Sequence, residues 1–187
     1  IHGGEVPVST MVVPFAMLLN LVSVSAAEDK DRLWGFINRY APDASPEGNP
    51  DLDQAAGFAI RYFNDFVKPT RVFRLPDARE AAAMAELSAC LGDAARARDI
   101  LARKAALEGA EVGDVTIDWQ SDDFLQSLVF AVGKLHGFEP LRDWFSALYE
   151  VLLGASQGPR FGGFIALYGI DETRALIARG LKGELGA

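Results

Sequence analysis

Reactive side chains are scarce in this sequence. Cys90 is the single cysteine and lies inside a helical pattern, so neither a disulfide framework nor a thiolate metal site can be assembled. A reducing, cytoplasmic setting fits that usage. The histidines are His2 and His136, and neither has a partner at metal-ligand spacing. A Cys–His nucleophilic pair would have to be built from Cys90 alone. No glycine is followed by Lys-Ser or Lys-Thr at the spacing of a phosphate loop. A freestanding enzyme is therefore the weakest functional class.

Positive charge is also short. Lys and Arg number 18 against 26 Asp and Glu, a formal net charge of −8. Residues 1–114 carry 12 basic and 17 acidic residues, and 115–187 carry 6 and 9, so neither part is a basic module. Nucleic-acid binders ordinarily draw affinity from phosphate neutralisation. Any RNA contact must be local here, reading bases more than phosphates. Long apolar runs are missing too. Residues 11–27 are apolar-rich, but Pro14 and Asn20 interrupt them, and they fall short of the roughly 20 residues a bilayer requires. They predict a buried helix and no membrane span. The chain starts at Ile1 with nothing basic ahead of that stretch, which points to a fragment of a longer protein and not to a signal peptide.

No alternating strand pattern occurs, and no internal repeat. What the chain has instead is helical periodicity. After an irregular lead-in over 1–10, a helix is predicted from Pro14 to Val24. Ser25-Ala26-Ala27-Glu28 reads as a capping box opening a second helix to Tyr40, with Leu33, Trp34, Ile37 and Tyr40 on one face. A Pro/Gly/Ser/Asn-rich loop over 42–50 leads to a third helix, Asp51 to Val67, with Ala55, Phe58, Ala59, Tyr62, Phe63 and Phe66 inward. Residues 68–76 are extended between Pro69 and Pro76. Two alanine-rich helices follow, 77–91 and 93–108, and a hinge-like connection over 109–120. Ser121 caps a helix striped by Phe124, Leu125, Leu128, Val129, Val132 and Leu135. Glu139–Leu153 carries Leu141, Trp144, Phe145, Leu148, Tyr149 and Leu152 at offsets of 0, 3, 4, 7, 8 and 11, with Pro140 in its first turn and Gly154 as its cap. A short helix near 162–168 and one after Asp171, with Leu176 and Ile177 inward, complete an all-α array of about eight helices.

Between the last Trp-bearing helix and the short one lies Gly154-Ala155-Ser156-Gln157-Gly158-Pro159-Arg160-Phe161-Gly162-Gly163. Four glycines there give the backbone freedom for a sharp turn and close approach. The plain reading is a structural turn with Phe161 in the core.

Particular stretches resemble a known family. Leu148-Tyr149-Glu150-Val151-Leu152-Leu153-Gly154, Gly158-Pro159-Arg160-Phe161-Gly162 and Phe164-Ile165-Ala166-Leu167-Tyr168-Gly169 are similar to the C-terminal end of class I lysyl-tRNA synthetases. Leu18-Leu19-Asn20-Leu21, Glu28-Asp29-Lys30 and Leu33-Trp34-Gly35-Phe36-Ile37 resemble the segment that follows the catalytic domain in that family. Residues 77–120 are the least distinctive. The family's His-Ile-Gly-His-like turn and Lys-Met-Ser-Lys-Ser-like loop are absent, so adenylate formation is not carried by this chain.

The resemblance implies a helical cage that holds splayed anticodon bases of tRNA(Lys). Residues 1–110 would be a connecting subdomain and 111–187 the anticodon-binding one. ATP would be used by an N-terminal catalytic domain elsewhere on the same polypeptide, with no cofactor in this part. Arg160 would stack on a base or fork onto its edge or phosphate, with Phe161 as a stacking platform. Gly158 and Gly162 would let a base approach the main chain, and Gln157 would read a uracil edge. Lys134 and His136 end the 121–136 helix and face either RNA or water, with His136 also favoured by the helix dipole. Trp119 stands in a loop before a cap, available to core or base. Lys68, Arg71 and Arg74 form a short basic run able to touch phosphate. Trp34 and Trp144 lie on apolar stripes and are assigned to the core. The competing reading is an acidic all-helical protein-interaction module.

Overall fold

A computed structural model describes residues 12–186, so His2 and the lead-in over 1–10 lie outside the described residues. Among the described residues there are nine α-helices and no strand: α1 (Phe15–Ser25), α2 (Lys30–Tyr40), α3 (Pro50–Tyr62), α4 (Ala78–Cys90), α5 (Ala94–Leu107), α6 (Asp122–Leu135), α7 (Arg142–Leu148), α8 (Phe161–Tyr168) and α9 (Ile170–Leu181). α3 continues as a π-turn (Phe63–Val67) and α7 as another (Tyr149–Leu153).

The start of α2 differs from its sequence reading. The Ser25 hydroxyl donates back to the Leu21 carbonyl at 2.6 Å, closing α1, and Ala26 adopts a left-handed φ of 50°. Asp29 caps α2 instead, its carboxylate accepting from the Arg32 N–H at 3.0 Å. A carboxylate at the N-cap is the stronger acceptor and faces the positive end of the helix dipole. A capping box does form at Asp77 and Glu80, at the head of α4. α7 also begins later than its periodicity suggests. Phe138 is buried ahead of it, and Pro140 stays outside with its carbonyl accepting from the Asp143 N–H.

α8 is buried almost all round, as expected for a helix without a polar face. It packs most extensively against α6, with α1 and α2 also against it. α5 lies on α6, and α9 lies on α4. Trp144 and Trp34 are core residues with satisfied indoles: Trp144 Nε1 donates to the Val129 carbonyl at 2.9 Å and Trp34 Nε1 to Asp53 at 3.0 Å. Gly133 leaves the room that Trp144 fills, since a Cβ there would stand 2.4 Å from the indole. One continuous apolar core draws residues from both sides of the 109–120 connection.

The inward face of α3 is rotated from the predicted one. Leu52, Ala56, Ala59, Ile60 and Phe63 are buried, while Phe58, Tyr62 and Phe66 are exposed by 50%, 37% and 63%. Small Ala56 and Ala59 let α1 lie close, which turns the large rings outward. There they pack on one another and on Phe15, with ring centroids 5.1–6.1 Å apart. Phe66→Ser is accordingly expected to change unfolding free energy in urea by less than about 1 kcal/mol, the range of surface substitutions. A loss of the size seen for core phenylalanines would contradict this exposure.

Candidate nucleic-acid interface

The glycine turn is held by Tyr149. Its hydroxyl donates to the Pro159 carbonyl at 2.6 Å, and burial pushes that hydroxyl's pKa up. Gly158 lies against the same ring, where a Cβ would stand 2.4 Å from Cδ1. The residue is glycine because the tyrosine occupies its side-chain space. Gly154 caps the π-turn with a left-handed φ of 66°. The clamp leaves Gln157 and Arg160 projecting into solvent. Arg160 pairs with Asp123 at 2.9 Å, but its side chain is 53% exposed and that of Asp123 88%. An ion pair so well solvated holds little energy, so the guanidinium is readily exchanged onto another acceptor.

Two members of the predicted set do something else. Phe161 is fully buried, packed with Tyr149 and Phe164 at 6.5 and 5.4 Å between ring centroids. Its ring cannot serve as a stacking platform in this conformation, because α8 turns it into the core. Gly162 is a helix-packing glycine. The space beside it is filled by the α6 backbone, and its N–H donates to Gln126 Oε1 at 2.7 Å.

The basic run 68–74 divides. Lys68 is exposed in a short 3₁₀ turn. Arg71 is drawn inward between Phe63 and Phe73, its guanidinium carbon 4.9 and 5.3 Å from the ring centroids, and it donates to Ser23. Burial lowers its pKa, and among the described residues its Nε has no hydrogen-bond partner. Arg74 ties Glu80 to Glu150, at 2.8 and 3.0 Å. Arg71 is taken up by packing between two rings and Arg74 by ion pairs to two carboxylates, so the structure brings neither forward as an unengaged cation for phosphate.

Lys134 is exposed, with its ammonium 5.9 Å from the Phe130 ring centroid. His136 shares Glu86 with Arg103; burial raises the Glu86 carboxyl, but the hydrogen bonds to His136 and Arg103 outweigh it and hold that carboxyl below its ordinary range. Trp119 is half-buried, edge-on to Phe124 at 5.4 Å, and borders a shallow cleft with Arg39 and Tyr40. The predicted residues thus do not converge on one point. Asp123, which pairs with Arg160, and Lys134 are separated by roughly 16 Å along α6 at 1.5 Å per residue.

A cleft of about 580 Å³ opens between α5 and α6 beside the turn, bordered by Leu101, Lys104, Asp123, Gln126, Ser127, Phe130 and Arg160. Sequence reasoning missed Gln126 and Phe130. Phe130 had left a signal: it falls outside the apolar stripe of α6, and an aromatic on the polar face is 39% exposed. Gln126 left none, since only the fold brings Gly162 to it.

The chain is 57% identical over 185 residues to a lysine–tRNA ligase of Roseobacter denitrificans, covering 99% of this chain and 31% of that protein. The chain is homologous to a segment of the lysine–tRNA ligases. Lysine–tRNA ligases of Rickettsia felis and Rickettsia conorii are 39% and 38% identical over 178 residues, each covering 95% of this chain and 30% of the relative. The chain therefore spans about a third of the length of the curated lysine–tRNA ligases it matches. No family model matches it, and no solved structure does. No helix among the described residues is long and apolar enough to cross a membrane.

Proposed function

We propose that this chain is the anticodon-reading part of a cytoplasmic lysine–tRNA ligase. Its partners are the anticodon stem–loop of tRNA(Lys) and a catalytic segment, elsewhere on the polypeptide, that activates lysine with ATP. The observation that carries the reading is homology over 99% of the chain to a lysine–tRNA ligase. The geometry supports it through Arg160, a solvated cation on a turn pinned by Tyr149, beside an open cleft. In this reading 111–187 presents the turn, with Gln157, Lys134, Trp119 and Lys68 as outlying contacts, and 1–110 joins it to the catalytic segment. Uracils of the anticodon are unstacked and read on their edges. Discrimination arises because a wrong base leaves buried donors and acceptors unpaired.

The net charge of −8 favours the other reading, a protein-interaction module. The two are separated by titrating the chain with a tRNA(Lys) transcript at low salt, beside a transcript whose central anticodon uracil is replaced. The expected result is selective binding, weakened about tenfold, equivalent to 1.4 kcal/mol, by Arg160→Ala. Because the Arg160–Asp123 pair is solvated, that variant should melt with the parent. Equal binding of both transcripts would reduce the contact to a nonspecific phosphate interaction and sink the anticodon reading.

A further inference from the structure

The amide of Gln126 is fixed by a backbone donor. The Gly162 N–H bonds Oε1 at 2.7 Å, which fixes the amide's orientation and leaves both NH2 hydrogens, beside one Oε1 lone pair, for further bonding. Among the described residues that NH2 makes no hydrogen bond, and Gln126 borders the α5–α6 cleft. One turn further along α6, Phe130 offers an exposed ring to the same cleft. Ser127 lies between them; its hydroxyl donates to the Asp123 carbonyl at 2.9 Å and retains lone pairs to accept. Lys104 and Arg160 place a cation on each of the two other bordering segments, α5 and the glycine turn. Among the described residues each pairs with one solvated carboxylate, Lys104 with Glu108 at 3.0 Å and Arg160 with Asp123 at 2.9 Å.

We infer that this cleft is a nucleotide subsite in which Phe130 stacks the base, Gln126 Nε2 donates to its edge, and Lys104 and Arg160 flank its phosphates. The inference rests on the anticodon reading and deepens it, replacing buried Phe161 with Phe130 as the platform. The complement of groups matches a uracil: carbonyl oxygens accept from the amide, and N3–H donates to the Ser127 hydroxyl. A base–aromatic stack is sequence-tolerant, whereas the amide supplies selectivity. The volume, about 580 Å³, is within the usual range for a small-ligand site and leaves room for ribose and phosphate. The fixed amide is the feature that distinguishes this cleft from a plain solvated groove. Its orientation is set before any ligand arrives, so little ordering cost falls on binding.

The test is titration of the 187-residue chain with the anticodon stem–loop of tRNA(Lys), with and without its central uracil, for four proteins: the parent, Phe130→Ala, Phe130→Tyr and Gln126→Glu. Gln126→Glu keeps an acceptor for the Gly162 N–H, so it folds, but exchanges the amide donor for a carboxylate oxygen. Thermal melts confirm folding. Phe130→Ala should weaken binding about tenfold for both RNAs while Phe130→Tyr retains it. Gln126→Glu should abolish the preference for uracil. If the parent prefers uracil and these variants do the same with unchanged affinity, the subsite is overturned while anticodon reading stands. If the parent shows no preference or no binding, the anticodon reading fails and the subsite fails with it.

Discussion

Gly162→Ala should lower the unfolding free energy by more than about 3 kcal/mol, beyond the usual cost of overpacking, because the obstacle is main chain. A Cβ at this position would stand 2.3 Å from the Gln126 backbone nitrogen, 2.6 Å from the Asp122 backbone carbonyl oxygen and 2.7 Å from the Gln126 Cα. Close-packed interiors absorb a few tenths of an ångström through side-chain motion, but a helix backbone does not move alone. α6 and α8 would have to separate, disturbing the shared burial of Leu125, Val129, Phe161 and Ile165. For a chain of 187 residues the loss corresponds to a fall of about 6–12 °C in melting temperature at 2–4 °C per kcal/mol. The Gly162–Gln126 hydrogen bond should be lost in the same step, so uracil preference should disappear from whatever fraction stays folded. Gly163→Ala is the internal comparison. Its nearest neighbour is Met17 Cε at 2.6 Å, the end of a flexible side chain, so it should cost markedly less. Equal melting of the Gly162→Ala variant and the parent would show that the two helices are not held at this spacing.

The contrast between Gly158, Gly162 and Phe161 shows where sequence reasoning reaches its limit. Helix existence was legible from periodicity and punctuation: the stripe of α6, the Ser121 cap and the capping Gly154 all stand where spacing put them. Both core tryptophans followed from their apolar stripes. The partner each residue meets was not legible. A glycine that frees a turn for RNA and one that admits a tyrosine ring or a neighbouring helix are identical in sequence, because both need only the missing Cβ. The rotated face of α3 has a similar cause. Its aromatic positions satisfy the helical period as well as its small ones, and the choice is made by how closely α1 approaches. Arginines pose the same ambiguity. Arg71, Arg74 and Arg160 look alike in a list of cations, yet one is sandwiched by rings, one bridges carboxylates and one is solvated.

Arg74→Ala should destabilise the fold by about 2–3 kcal/mol at neutral pH, toward the low end for breaking a buried pair because water reaches part of the guanidinium. Glu80 is the reason. It is only 7% exposed, receives two 2.8 Å bonds from Arg74, and also accepts from the Asp77 N–H at 2.8 Å as half of the capping box. Remove the guanidinium and a carboxylate remains buried with one backbone donor. The same cation also bonds Glu150, so the substitution unties the extended 71–77 segment from the π-turn after α7. The pH dependence has a definite sign. Arg74 hydrogen bonding, opposed by burial, holds the Glu80 carboxyl below its ordinary 4.5. Folding therefore favours the ionised form, and the stability this supplies is fully present above about pH 4.5 and drains away as pH falls through the depressed folded value. The Arg74→Ala variant lacks most of that depression, so it has less to lose on acidification. Urea unfolding at pH 7 and at successive steps below pH 4.5 should show the gap between parent and variant closing as the solution becomes more acidic. A gap that stayed constant or widened toward low pH would mean that Arg74 acts by packing alone, and that Glu80 is held by Asp77 without its cation.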